Sequence, residues 1–270
     1  MTPREGWLER DGVRLHYVEW PGDIGRAIFA LHGLSSNARF WSRVASRLDG
    51  RRFVALDQRS HGRSDRIRTG DTLATFVDDA RHAIAGLRLE RPVLAGHSWG
   101  ASVALELAAR HPETVSALGF IDGPAWPLSD SMTWAEFAAR SQTTLPRHST
   151  LAAAIDAARA WHGPLWGEDL IEFVKAGHRI ESDAVVLTLT HEARARILRD
   201  LFDLRQDHAW GVLAVPAFAL RKSDVVLAAT KRAAEHIAAV SPKVLIKWYD
   251  SPHDIPLSLP GDIASDISAL

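Results

Sequence analysis

The chain has 270 residues, a formal net charge of -1 and no cysteine. That length suits one large domain, or one domain carrying an insertion, with room for a sizeable core. The near-neutral balance gives no electrostatic case for nucleic acid or an anionic membrane as a partner, and the lack of cysteine excludes disulfides, zinc–thiolate sites and a thiol nucleophile.

The start, Met1-Thr2-Pro3-Arg4-Glu5-Gly6, has no apolar signal core behind a basic end. No stretch approaches the roughly 20 apolar residues that span a bilayer, so a soluble cytoplasmic protein is expected. From Trp7 to Trp20 apolar and polar residues alternate around Asp11-Gly12, which predicts a β-hairpin at a sheet edge. Ala27 to Leu31 reads as a buried strand ending at His32-Gly33, and Phe40 to Leu48 places its apolar residues on one helical face. Phe53 to Leu56 is the next strand, followed by Asp57-Gln58-Arg59-Ser60-His61-Gly62-Arg63-Ser64 and a helix over about 72–87. Val93 to Ala95 is a short strand, then comes Gly96-His97-Ser98-Trp99-Gly100, then an alanine-rich helix to about His111. Ser116 to Ile121 is another strand, ending in Asp122-Gly123-Pro124. Strands alternating with helices predict a mostly parallel sheet covered on both faces, an α/β fold.

The alternation breaks between 124 and 210, where only helical patterns are legible, over 151–161, 169–176 and 191–202. It resumes with a strand over 212–220, a helix over 226–240, a strand over 243–248 and a terminal helix. The expected organisation is a core made of 1–123 and 211–270, with 124–210 as a helical insertion. Trp126, Trp134, Trp161, Trp166 and Trp210 fall in that insertion. Most would fill its own core; Trp126, Trp134, Trp161 and Trp166 are candidates to line an apolar pocket above the sheet.

The Gly-His-Ser-Trp-Gly run fits the strand-to-helix turn that lifts a serine hydroxyl out of a sheet, with glycines where backbone and helix approach too closely for a Cβ. A serine hydroxyl needs an adjacent base, and the base needs a group that fixes its tautomer. Among the thirteen histidines, His253 lies in a loop after the last strand and well after Ser98. Two aspartates compete for the third place. Asp224 follows the strand over 215–220, where it could equally cap the next helix. Asp122 ends the preceding strand, or is merely a turn residue. Asp250 and Asp254, which flank His253, read as solvated loop residues. No histidine pair with metal-ligand spacing and no phosphate loop is present, so no cofactor is expected.

Taken together, His32-Gly33, the 57–64 run, Gly96-His97-Ser98-Trp99-Gly100 and Ser251-Pro252-His253-Asp254 resemble the α/β-hydrolase superfamily over nearly the whole chain. The resemblance implies an α/β-hydrolase fold with an inserted helical cap over the site. It implies a serine hydrolase in which Ser98 is the nucleophile and His253 the general base and acid, with an acid behind it: Asp224, in the fold's usual place and favoured, or Asp122. The backbone N–H groups of Leu34 and Trp99 would form the oxyanion hole. His32, His61 and His97 would organise loops; the Trp99 side chain would pack either in the elbow or at the acyl pocket. Arg59-Ser60 departs from the Arg-Gly that the family often carries there. Epoxide hydrolases and haloalkane dehalogenases of this fold use aspartate as nucleophile, which Ser98 speaks against. The implied substrate is a small, largely apolar ester, lactone or thioester. Alternatives are a specialised reaction on the same triad, such as C–C bond hydrolysis, cofactor-free dioxygenation or acyl cyclisation, or a small-molecule receptor on the same fold.

Overall fold

A computed structural model describes residues 2–48, 50–123, 128–130, 132–141, 144–211, 217–222, 227–241 and 243–270. In chain order the first elements are β1 (Arg4–Arg10), β2 (Val13–Trp20), β3 (Asp23–Leu31), α1 (Ser42–Ala45), β4 (Arg51–Leu56) and α2 (Leu73–Gly86). β5 (Val93–His97), α3 (Trp99–Arg110) and β6 (Ala117–Ile121) follow. Next come α4 (Trp134–Ser141), β7 (Arg147–His148), α5 (Leu151–His162), α6 (Leu170–Gly177), β8 (His178–Glu181), β9 (Ala184–Leu187) and α7 (His191–Asp203). The chain ends with α8 (Asp207–Gly211), β10 (Ala217–Lys222), α9 (Leu227–Val240), β11 (Val244–Tyr249), α10 (Ile255–Ser258) and α11 (Pro260–Ser268).

The main sheet has the order β1-β2-β4-β3-β5-β6-β10-β11. β1 and β2 form the expected hairpin, with Asp11 at φ 52° and Gly12 at φ 74° in its turn, and β2 runs antiparallel to β4. From β4 to β11 all neighbours are parallel. β3 lies between β4 and β5, so the chain leaves β3 to one side, returns after β4 and crosses to the other. The loops after β3 and β5 therefore flank a topological switch point, where open α/β sheets form their ligand crevices.

Period-2 alternation explains the two cores. Phe29, Leu31, Val54, Leu56 and Leu94 point to the face covered by α2 and α3. Ile28, Ala30, Phe53, Ala55, Val93 and Ala95 point to the other, against Trp41, Val44, Ile255 and Ile263. The central strands are buried on both faces and read as continuous apolar runs for that reason. No helix among the described residues is long and apolar enough to cross a membrane.

The 124–210 segment is not purely helical as the sequence suggests. β7, β9 and β8 form a small antiparallel sheet beside its helices. Its hairpin turns through Ser182 at φ 52° and Asp183, without the glycine or asparagine that marks such turns in a sequence. Polar contacts fasten the segment to the sheet's loops: Asn37 Nδ2 donates to the Phe173 carbonyl at 3.0 Å. Arg43 grips Asp169 through Nε at 2.6 Å and Nη2 at 2.8 Å, and Arg196 meets the buried Asp71.

Candidate active site

β5 ends between β3 and β6, and the chain turns within one residue into α3. Ser98 occupies that turn with φ 52° and ψ -118°, a conformation that costs an L-residue about 1–3 kcal/mol. Its N–H donates to the Ile121 carbonyl at 3.0 Å, and its carbonyl accepts from Ala101 at 3.0 Å. The flanking glycines are required by close approach. A Cβ on Gly96 would strike the Gly100 carbonyl and the Ala101 backbone, and one on Gly100 would strike the Leu31 and His32 carbonyls. Trp99 begins α3, so its N–H belongs to the first turn, whose donors have no intrahelical acceptor. The Trp99 side chain is fully buried, edge-on to Phe76 at 5.4 Å; it packs the elbow.

His253 lies after β11, and its Nδ1 is 2.5 Å from Asp122 Oδ2. The carboxylate accepts the Nδ1–H, which leaves a lone pair on Nε2. Asp122 is 15% exposed and the His253 side chain 52%, so the acid is shielded while the imidazole stays accessible. Asp122 sits at φ 45°, in the left-handed region that aspartate tolerates better than most residues, directly after the residue whose carbonyl holds Ser98. Asp224, the favoured partner on sequence grounds, lies outside the described residues, as does Trp126.

His97 braces the loop after β11. Its Nε2–H donates to the His253 carbonyl at 3.0 Å, and its ring lies 4.8 Å from both Phe40 and His253. Burial pushes its pKa down to about 3, helped by the neighbouring His253, so it is neutral. His32 is likewise buried, and burial lowers it to about 4. Its Nδ1–H donates to the Gly33 carbonyl at 2.8 Å while Nε2 accepts from the Gln58 N–H at 3.1 Å. Because N–H and C=O of a trans peptide point in opposite directions, this bond aims the Leu34 N–H away from His32. His61, lowered by burial to about 3, donates from Nδ1 to the Arg59 carbonyl at 2.9 Å.

Asp57, which opens the 57–64 run, is a buried loop anchor. It accepts from Ala38 N–H at 2.6 Å and Arg63 N–H at 2.9 Å, and meets His16 Nδ1 at 2.7 Å. It thereby ties the loops after β3 and β4 to β2. The tryptophans divide. Trp134 packs on Phe137 and Phe202 in a cluster that includes Leu34. Trp166 is partly buried between two clusters, and Trp210 packs on Phe120 in the main core. Trp161, a candidate for the pocket, is instead 83% exposed; it lies two turns beyond the buried Ala154, near the C-terminal end of α5.

The sequence model of the family described as alpha/beta hydrolase fold matches residues 26–200. The chain belongs to the α/β-hydrolase family. Among curated α/β-hydrolase relatives, Epoxide hydrolase 3 of Mus musculus is 31% identical over 120 residues, 43% of this chain and 33% of that protein. The chain spans about a third of the length of the curated relatives it matches, as with those 33%. Two solved structures superpose over almost the full chain. E-2-(acetamidomethylene)succinate hydrolase gives a TM-score of 0.83 at 21% identity, covering 99% of this chain and 98% of that one. The thioesterase domain from the curacin biosynthetic pathway gives 0.81 at 19% identity, covering 99% and 100%. At such identities the likeness concerns the α/β-hydrolase fold alone.

Proposed function

We propose that the protein is a serine hydrolase that cleaves an ester, lactone or thioester of a small, largely apolar substrate through an acyl-enzyme on Ser98. The observation that carries this reading is the 2.5 Å bond between Asp122 and His253, formed beside a strained serine whose own backbone bonds to the residue before Asp122. Ser98 Oγ attacks the carbonyl carbon, and its proton passes to His253 Nε2. The resulting imidazolium is stabilised by Asp122 and returns the proton to the departing alcohol or thiol. Water then repeats the sequence on the acyl-enzyme. The Leu34 and Trp99 N–H groups receive the developing oxyanion, each worth about 3 kcal/mol. His97 acts as a positioning residue that holds the His253 backbone. The 124–210 segment serves as the cap, with Trp134 beside the oxyanion loop.

Two measurements test this. A fluorophosphonate is expected to label Ser98, and p-nitrophenyl esters of graded chain length are expected to be turned over; Ser98→Ala abolishes both. Asp122→Asn should lower turnover on the order of 10⁴-fold with substrate binding largely kept, by analogy with a serine-protease triad. Near-normal turnover in Asp122→Asn together with loss in Asp224→Asn would return the role to Asp224. Neither labelling nor turnover in the native protein would refute the serine-hydrolase reading. Labelling without ester turnover would point to a specialised reaction on the same residues.

A further inference from the structure

Arg194 stands apart from the other arginines that hold the 124–210 segment. Arg43 meets Asp169, Arg66 meets Glu181 and Arg196 meets Asp71. Arg194 meets neutral acceptors instead. Its Nε donates to Ser35 Oγ at 3.1 Å and its Nη1 to the Ser141 carbonyl. Among the described residues no carboxylate lies within ion-pair reach of it, and the Nη2 edge makes no hydrogen bond. The side chain is half-buried, and burial lowers its pKa with no anion opposing the shift. A guanidinium remains charged all the same, and a desolvated charge without a counter-charge is unfavourable.

Its position gives that charge a use. Arg194, Leu198 and Leu201 recur at helical spacing along one stripe of α7. Leu198 and Leu201 pack in the cluster that includes Leu34, and Arg194 bonds to the adjoining Ser35. The stripe therefore looks onto the loop that carries the Leu34 N–H, and the cation sits one helical turn along it. Ser35 itself is at φ 63°, and its hydroxyl fixes one edge of the guanidinium. The Ser141 carbonyl at the end of α4 holds Nη1, which orients the group while Nη2 and the net charge stay unmatched among the described residues.

We propose that Arg194 recognises a carboxylate on the substrate, so that the acyl group delivered to Ser98 ends in a free carboxylate. The substrate class is then an ester or thioester of a dicarboxylic acid, apolar between its two ends. This rests on the acyl-transfer reading of Ser98. A purely structural Arg194, strapping α4 to the loop, is the competing account.

The test uses p-nitrophenyl monoesters of succinic, glutaric and adipic acid, each against a neutral ester of the same chain length, with spontaneous hydrolysis subtracted. At least one monoester is expected to exceed its neutral partner in kcat/KM. Arg194→Met should lower that anionic-to-neutral ratio between about 10- and 100-fold, carried mainly by KM, and Arg194→Lys should recover part of it. A strap would change both esters alike and leave the ratio unmoved, which overturns the proposal. A second measurement is independent of turnover. Glutarate should raise the thermal midpoint of the native protein but not of Arg194→Met. If Ser98 resists fluorophosphonate while glutarate still stabilises through Arg194, the acyl-transfer reading fails and carboxylate recognition stands. If Ser98 is labelled but neither the ratio nor the glutarate effect depends on Arg194, recognition fails alone.

Discussion

Acidification is expected to unfold this protein well before its carboxylates titrate. His32, His61 and His97 are all buried in the loops around Ser98, and burial lowers them to about 4, 3 and 3 respectively. The unfolded chain holds each near 6.5. Between those values the unfolded chain binds a proton and the folded one does not. The contribution to stability is therefore complete above pH 6.5 and is lost as the pH falls toward the folded values. From about pH 7.5 to about pH 5.5 each histidine forfeits about 1.3 kcal/mol, and the three together about 4 kcal/mol. That is a large fraction of the roughly 5–15 kcal/mol that holds a domain folded. Asp57 does not contribute in this window: burial would raise it, but the bond from His16 and the backbone donors outweigh burial and hold it below the ordinary carboxylate range. Urea unfolding followed by tryptophan fluorescence, at half-unit pH steps, measures the effect; the midpoint should fall at constant m-value. A midpoint unchanged between pH 7.5 and 5.5 would mean that these imidazoles are solvated or protonated in the folded protein. Their assignment as neutral loop braces would then be wrong.

Two further outcomes are expected. Ser60→Gly relieves a serine held at φ 64°, worth about 1 kcal/mol, but removes a 3.0 Å bond to the buried Asp71 and the acceptor for the Ile67 N–H, worth about 1–3 kcal/mol; the net should be a small loss of stability, and a rise in thermal midpoint would contradict it. His97→Phe keeps a ring against Phe40 but loses the donor to the His253 carbonyl, so the rate of fluorophosphonate labelling should fall about 10-fold, whereas an unchanged rate would remove His97 from the positioning of His253.

The elbow was legible because its demands are local. Gly96 and Gly100 are dictated by contacts within five residues and with one neighbouring strand, and the strand-turn-helix pattern shows in the same window. His253 was legible from its place in the strand order. The carboxylate that meets His253 was not, because Asp122 and Asp224 both follow strands that neighbour each other or the last one. Only the backbone turn at Asp122, with φ 45°, shows that its carboxylate swings to His253. That turn had a signal, an aspartate before glycine at a strand end, but the signal is equally that of an ordinary turn.

The bracing around the elbow was hidden for a different reason. Asp57 and His16 are 41 residues apart, and Arg196 and Asp71 are 125 apart, so no periodicity marks either pair. Ser60 shows how such long-range contacts rewrite a local rule. The left-handed position calls for glycine, as the resemblance to relatives suggested, yet serine is retained where its hydroxyl bonds to Asp71 and so joins the contact to Arg196 on α7. The departure from the family pattern is thus tied to the 124–210 segment and not to the elbow. The same helix carries Arg196 to the loop after β4 and Arg194 to the loop after β3. A shift of α7 would move the candidate carboxylate receptor and the loop carrying Leu34 together. If Arg194 receives a substrate carboxylate as proposed, one helix couples substrate choice to the geometry of the loops around Ser98.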